Sequence, residues 1–380
     1  MKRAKVALFG GARKGFFGGM HFDAIGLSGG EVGWSVLSSD PAASRQCGED
    51  WGIPHPLGTI DELIAAYRSG DAPIDYATVA VPNNKHASVT IPLLEAGIPV
   101  LLEKPMADTL ENALAIAEVV NRTGVPLLLS HTYFGYAAVQ MLFDMIRRGA
   151  IGEIRTIDAY YRQGWLWLLL EQMPDMPGYR QAVARASRAI SGPTCAGGDI
   201  GSHCITMAEA IAGKITEVSA MLTSCVPGRE LDDDFRVNCR FENGAVGTLI
   251  ATQVDQPEMN HHTVRVVGSK GTLAWDQENP EILEYGDADG LRFIRRGHGN
   301  FRSHIAALSR GPSGHINGFH IALLNVHHAM MDAVLINKGQ EPRFPGLIVP
   351  GVDTGISTMQ VLQVSLESSH GGCSMPVIRK

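Results

Sequence analysis

This sequence predicts an α/β protein in two parts. The first, residues 1–130, is expected to be a doubly wound parallel sheet. The second, residues 131–380, is expected to be an α+β domain with a large, mostly antiparallel sheet. Three observations carry that reading. Apolar strand segments alternate with helical segments through residues 5–129, the pattern of a parallel sheet wound by crossover helices. A glycine cluster, Gly10-Gly11-Ala12-Arg13-Lys14-Gly15-Phe16-Phe17-Gly18-Gly19, follows the first strand. Beyond Tyr133 the alternation stops, and short strands succeed one another across turn signals such as Glu242-Asn243-Gly244 and Gly268-Ser269-Lys270-Gly271.

Residues 5–9 form a buried strand. The glycines after it let the backbone approach a diphosphate, and the helical pattern through Ala24 and Leu27 offers free N–H groups and a favourable dipole at its start. Strict GxGxxG spacing is absent, so this turn is a weak signal by itself. Residues 33–37 are a second strand, 42–51 a helix, and 75–81 a third strand ending in Pro82-Asn83-Asn84-Lys85-His86. Helix 87–96 leads to strand 99–103, and helix 110–123 to strand 125–129. Ligands of such sheets bind at the carboxyl ends of strands, where Gly10, Gly11, Val81, Pro82, Asn83, Glu103 and Lys104 fall. An acidic residue at the tip of the second strand favours NAD by bonding the ribose 2′-hydroxyl. Here Ser38 holds that place, Ser39 and Asp40 follow, and Arg45 lies nearby. Serines and an arginine also suit a 2′-phosphate; NAD is placed ahead of NADP.

In the remainder, helix 137–148 precedes strand 153–162. An irregular stretch, 165–193, holds Trp165, Trp167, Tyr179, Arg180 and Arg185. Helix 200–212 is followed by strands 216–223, 234–241, 245–254, 262–267, 272–275 and 281–284. Helices 321–335 and 356–369 close the chain, and the last of them is a candidate to pack back on the first domain. One face of the second sheet is expected to carry helices. A second subunit is the expected cover of the other face, in a homodimer or homotetramer.

The composition, 45% hydrophobic and 19% charged over 380 residues, suffices for two cores. A net charge of -7 without a basic stripe argues against a nucleic-acid partner. The six cysteines show no CxxC spacing and read as reduced, mostly buried thiols. With an opening apolar run too short for a signal peptide, they point to the cytoplasm. No span reaches membrane length, so no membrane partner is expected. The pairs His261-His262 and His327-His328 suggest a metal, but adjacent side chains diverge on a strand or a helix, and no metal site is expected. The run Asp232-Asp233-Asp234 reads as a solvated strand start.

Two motifs carry chemistry: Glu103-Lys104-Pro105 at a strand end, and Gly198-Asp199-Ile200-Gly201-Ser202-His203 at a helix start. Taken singly, the lysine reads as a surface residue, the aspartate as an N-cap and the histidine as structural. Their joint occurrence after a dinucleotide-type sheet points instead to alcohol oxidation. His203 serves as base for the hydroxyl proton, because imidazole titrates near working pH. Asp199, four residues earlier on the same helix face, orients the ring or holds substrate. Lys104 donates to the substrate oxygen and stabilises alkoxide charge. Tyr133, Trp165, Arg180, Arg185 and His320 are candidates to line a sugar pocket, aromatic faces covering the apolar side of a ring.

The glycine turn, Pro82-Asn83 with His86, Glu103-Lys104-Pro105 and Gly198-Asp199 with Gly201 and His203 resemble the Gfo/Idh/MocA oxidoreductases over nearly the whole chain. A narrower likeness, to the levoglucosan dehydrogenase and glycoside 3-dehydrogenase branch, rests on several segments. They are Phe16-Phe17-Gly18, Leu37-Ser38-Ser39-Asp40-Pro41, His131-Thr132-Tyr133-Phe134-Gly135-Tyr136, Leu231-Asp232-Asp233-Asp234 and Gly318-Phe319-His320. Two departures stand out: Thr206 where many relatives carry an aspartate, and Ala12 where the branch commonly has glycine. The resemblance implies an N-terminal Rossmann domain and cofactor contacts that include Phe16 and Phe17. It also implies NAD-dependent oxidation of a ring hydroxyl, at C3, of a sugar, anhydrosugar or glycoside. Two alternatives remain. One is a glycoside-cleaving or epimerising enzyme that uses tightly bound NAD transiently; the other is a non-catalytic NAD-binding regulator.

Overall fold

The structure is a computed structural model that describes residues 3–11, 16–298 and 301–379, less the side chains of Phe16 and Ser303. Its first compact unit comprises residues 1–107, 111–135 and 317–353. Six strands form its sheet: β1 (Lys5–Phe9), β2 (Glu31–Val36), β3 (His55–Pro56), β4 (Tyr76–Val79), β5 (Val100–Leu102) and β6 (Leu127–Leu129). Their order is β3-β2-β1-β4-β5-β6, with every pair parallel. β5 and β6 are unbroken apolar runs, and β1, β2 and β4 are largely apolar, because helices cover both faces. Those helices are α1 (Phe16–Leu27), α2 (Pro41–Asp50), α3 (Ile60–Ser69), α4 (His86–Glu95) and α5 (Leu110–Thr123). Strand order reverses direction at β1, so the crevice beyond the ends of β1 and β4 is the switch point where dinucleotides bind.

The stretch 52–74, for which no element is foreseen, supplies β3 and α3. Its signals are local. Thr59 caps α3 by accepting from the Glu62 amide (3.3 Å), and Gly70 ends it in the left-handed region at φ 86°.

The second unit comprises residues 108–110, 136–316 and 354–380. It begins with helix α6 (Ala137–Arg147) and strand β7 (Ile154–Arg162). Helices α7 (Tyr179–Arg185), α8 (Arg188–Ser191) and α9 (Ser202–Ala212) follow. Then come β8 (Ile215–Thr223), β9 (Asp234–Phe241), β10 (Val246–Thr252), β11 (His261–Gly268), β12 (Thr272–Asp276), β13 (Ile282–Asp287) and β14 (Gly290–Arg295). After α10 (Ser303–Ala306) and α11 (Phe319–Asn337), the chain ends with α12 (Val352–Gly371) and β15 (Met375–Pro376). The nine strands run in the order β14-β13-β12-β11-β7-β10-β9-β8-β15. All pairs are antiparallel except β7 with β10. Along β9, Phe235, Val237, Cys239 and Phe241 are buried while Arg236, Asn238 and Arg240 are exposed, so one sheet face is core and the other open.

Two expectations need correcting. The helix that returns to the first unit is α11, not the last helix. Val326, Met330, Met331 and Val334 of α11 share a core with Leu8, Ile25, Tyr76 and Leu101. The 3-10 turn Thr132–Gly135 lies so close to α11 that a Cβ on Gly135 would meet the Ala322 carbonyl oxygen at 1.9 Å. By contrast α12 stays in the second unit, where Ser368 and Ser369 accept from the Ala220 and Leu222 amides of β8. The second correction concerns membrane length. By length and composition α11 is long and apolar enough to cross a membrane, yet 67% of its apolar window is buried inside the fold. It is buried nearly all round, its polar Asn325, His327, His328 and Asp332 included, because it is a core helix.

Candidate active site

In the first unit, Gly10 and Gly11 leave β1 at φ 81° and 89°, conformations that L side chains rarely adopt. A Cβ on Gly11 would lie 2.4 Å from the Gly18 Cα, so this pair brings the strand end and α1 into contact. That is the close-packing role of a dinucleotide turn, met by different spacing from GxGxxG. Helix α1 has no acidic residue in its first turn, which leaves its positive end unopposed. The turn therefore fits the diphosphate of a dinucleotide. The Phe16 side chain and Ala12 lie outside the described residues; Phe17 is half-buried in the first turn of α1.

At the tip of β2, Ser38 is half-buried and Ser39 exposed. Asp40 is committed as the N-cap of α2, its Oδ1 accepting from the Ala43 amide at 2.7 Å. Arg45 pairs with Glu62 at 2.8 Å, so its charge is already matched. Ser38 and Ser39 remain at the strand tip, while Asp40 and Arg45 have partners within the protein.

After β4 the chain turns through Val81, Pro82 and Asn83, with Asn83 buried. His86 is fully buried. Its Nε2 meets the Val81 carbonyl and its Nδ1 the Pro105 carbonyl, both at 3.0 Å. Burial pushes its pKa down. This ring tethers the loop after β4 to Lys104-Pro105, a cis peptide at the end of β5. Glu103 and Lys104 are both buried, and a Glu103 oxygen accepts from the Lys104 amide at 3.2 Å. Tyr133 is also buried in this unit, edge-on to Phe319, while the neighbouring His320 is exposed.

In the second unit, Asp199 and His203 flank the junction of a π-helical turn, Gly197–Gly201, with α9. Such turns are rare and concentrate at functional sites. Asp199 is not an N-cap, since its own amide already bonds the Cys195 carbonyl. Its carboxylate is held on both sides: Oδ1 faces Arg185 at 3.3 Å and Oδ2 accepts from Gln253 at 2.9 Å. His203 is buried, its ring 5.8 Å from that of Tyr161. The half-buried Trp165 indole donates to Gln163, and Arg180 is exposed. Among the described residues no group of three or more His, Cys, Asp or Glu is arranged to hold a metal.

The aspartate run is not a solvated strand start. All three members are buried. Asp232 accepts from the Cys195 and Gly197 amides at 2.7 and 2.8 Å, capping the π turn. Asp233 pairs with the buried Arg229 at 3.0 Å, and Asp234 forks with Arg236. Gln253 was invisible in the sequence, because nothing local marks a strand-end glutamine as the partner of an aspartate 54 residues away.

Fold and site together define a two-domain, dinucleotide-binding oxidoreductase. The chain belongs to the Gfo/Idh/MocA family. Residues 5–131 match the oxidoreductase family with its NAD-binding Rossmann fold, and residues 139–274 match the GFO/IDH/MocA C-terminal domain. It is 26% identical to an uncharacterised oxidoreductase of Bacillus subtilis, over 98% of this chain and 96% of the relative. It is 29% identical to levoglucosan dehydrogenase of Pseudarthrobacter phenanthrenivorans over 66% of each chain. An inositol dehydrogenase homologue of Azotobacter vinelandii, solved with NAD+, shares the fold at a TM-score of 0.90. The identity is 24%, and the likeness covers 99% of this chain and 97% of that one.

Proposed function

We propose that this protein oxidises a ring hydroxyl, at C3, of a sugar, anhydrosugar or glycoside. The observation that carries the reading is the carboxylate of Asp199, fixed between Arg185 and Gln253 one helical turn before the buried His203. This stands in a chain that also ends β5 with Glu103-Lys104. The likeness to levoglucosan dehydrogenase supports a carbohydrate substrate. Bound NAD supplies the hydride acceptor. His203 accepts the hydroxyl proton on its imidazole, and Asp199 keeps the substrate hydroxyl in line with it. Lys104 donates from Nζ to the same oxygen and holds its developing negative charge. Gly10, Gly11, Phe16 and Phe17 seat the diphosphate end of the cofactor, and Ser38 and Ser39 its ribose. Val81, Pro82, Asn83 and Glu103, with His86 behind them, shape the nicotinamide end. Tyr133, Trp165, Arg185 and His320 contact the sugar. The open face of the nine-stranded sheet, where Met221 and Val246 are exposed, is covered by a second copy in a dimer or tetramer.

The test is NADH formation over levoglucosan, inositols, free hexoses and aryl glycosides. Lys104→Met and His203→Ala are each expected to lose about 10²–10⁴-fold in rate while binding NAD normally in a fluorescence titration. Full activity in both variants overturns the reading. Turnover without net NADH, from protein purified with retained cofactor, replaces it with transient redox chemistry.

A further inference from the structure

A chain of four buried polar side chains crosses the first unit. The Tyr76 hydroxyl meets His327 Nδ1 at 2.9 Å, His327 Nε2 meets His21 Nδ1 at 3.0 Å, and His21 Nε2 meets Glu103 Oε1 at 2.9 Å. The other Glu103 oxygen accepts from the Lys104 amide. Tyr76, His21 and His327 are wholly buried and Glu103 nearly so. The members come from β4, α11, α1 and the end of β5.

Only one proton order uses every group. Tyr76 donates to His327, His327 donates from Nε2 to His21, and His21 donates from Nε2 to an ionised Glu103. Both rings are then neutral. The reverse order puts an imidazolium at His21 and leaves the phenol hydroxyl facing a ring N–H, with its own proton unplaced, which is costly in a dry interior. The far end, Tyr76, has no exposure, so the chain delivers no proton to solvent. What it does is hold one carboxylate oxygen in place while the other fixes the backbone of Lys104.

We propose that His21 is a positioning residue for Lys104. It acts through Glu103, with His327 and Tyr76 setting its tautomer. This rests on the reading of Lys104 as the group that donates to the substrate oxygen. His21 sits in the same helix whose start follows the glycine turn, so the chain links the cofactor-binding helix to the catalytic lysine.

The test combines kinetics with a spectroscopic signature. His21→Leu is expected to lower kcat on the order of 10²-fold, the cost of misplacing a reacting group by about an ångström. KM and NAD affinity should hold. His21→Gln, whose amide can donate to Glu103 while its carbonyl accepts from His327, should restore most of the rate. ¹⁵N spectra of the cofactor-free protein should show His21 and His327 as neutral Nε2–H tautomers. If His21→Leu does not fold, Tyr76→Phe supplies a milder break with a smaller loss in kcat. An imidazolium at His21, or an Nδ1–H tautomer at either ring, overturns the proposal. So does an unchanged kcat in His21→Leu alongside an inactive Lys104→Met. An active Lys104→Met instead defeats the proposed function itself.

Discussion

A methyl group at position 11 has nowhere to go. Gly11→Ala forces an L residue to φ 89° and sets its Cβ 2.4 Å from backbone that cannot give way. The left-handed strain alone costs about 1–2 kcal/mol, and relieving the clash moves α1 off the end of β1. Thermal unfolding should show the loss, and NAD titration should show affinity falling at least tenfold by the same shift. Gly19→Ala is the matched control. Its Cβ would meet nothing within 4 Å, so stability should hold or rise by about 0.5–1 kcal/mol. At this scale the sequence was informative where backbone chemistry is local: glycines after a strand, a lysine before a proline, an aspartate four residues before a histidine. It was silent where a side chain is defined by a distant partner. Nothing near His21 announces Glu103, and nothing near His327 announces His21 or Tyr76. His327 faces His21 and Tyr76, while His328 stacks on Phe344 with centroids 4.5 Å apart.

Among the elements, the π turn shows how a helix start is made without a local cap. Gly197 and Gly201 let it lie against the Phe235 ring, where a Cβ at either position would come within 3.2 Å of that ring. Its free amides are satisfied by Asp232, a residue on another segment. Asp232→Ala should therefore cost about 1–3 kcal/mol in urea unfolding at pH 7. The same carboxylate gives a pH signature. Burial, against its hydrogen bonds from backbone amides, pushes Asp232 up to about 6 from an ordinary value of 3.8. Over that window the folded protein binds the proton and the unfolded chain releases it. The part of its stability linked to binding that proton is thus complete below pH 3.8 and is lost as pH rises through about 6, while its bonds to the Cys195 and Gly197 amides remain. Asp232→Asn should flatten that slope in unfolding curves taken between pH 4 and 6. Strand alternation made β9 legible from its own residues. The run before it was misread as solvated because Asp232 is buried against the Cys195 and Gly197 amides, which belong to another segment.

For the whole molecule, the sequence revealed two folding units and the type of each sheet. It missed that the first unit is discontinuous. A parallel sheet needs cover on both faces, and part of that cover is α11, a helix separated from β6 by eight of the nine strands of the second sheet. Periodicity reports that a helix is buried; it does not report against what. A fragment ending at Gly135 should expose Leu8, Ile25, Tyr76 and Leu101 and aggregate. Supplying residues 317–353 as a separate chain should return a soluble complex, and size-exclusion chromatography distinguishes the two outcomes.

The late arrival of α11 also sets an order of events during synthesis. The glycine turn and Lys104 leave the ribosome early, yet Tyr76 and His21 wait for His327, more than two hundred residues behind them. The nascent chain must carry an unfinished parallel sheet until eight of the nine strands of the second sheet have been translated. A chaperone that shields apolar surface therefore has its longest engagement with the half of the protein made first.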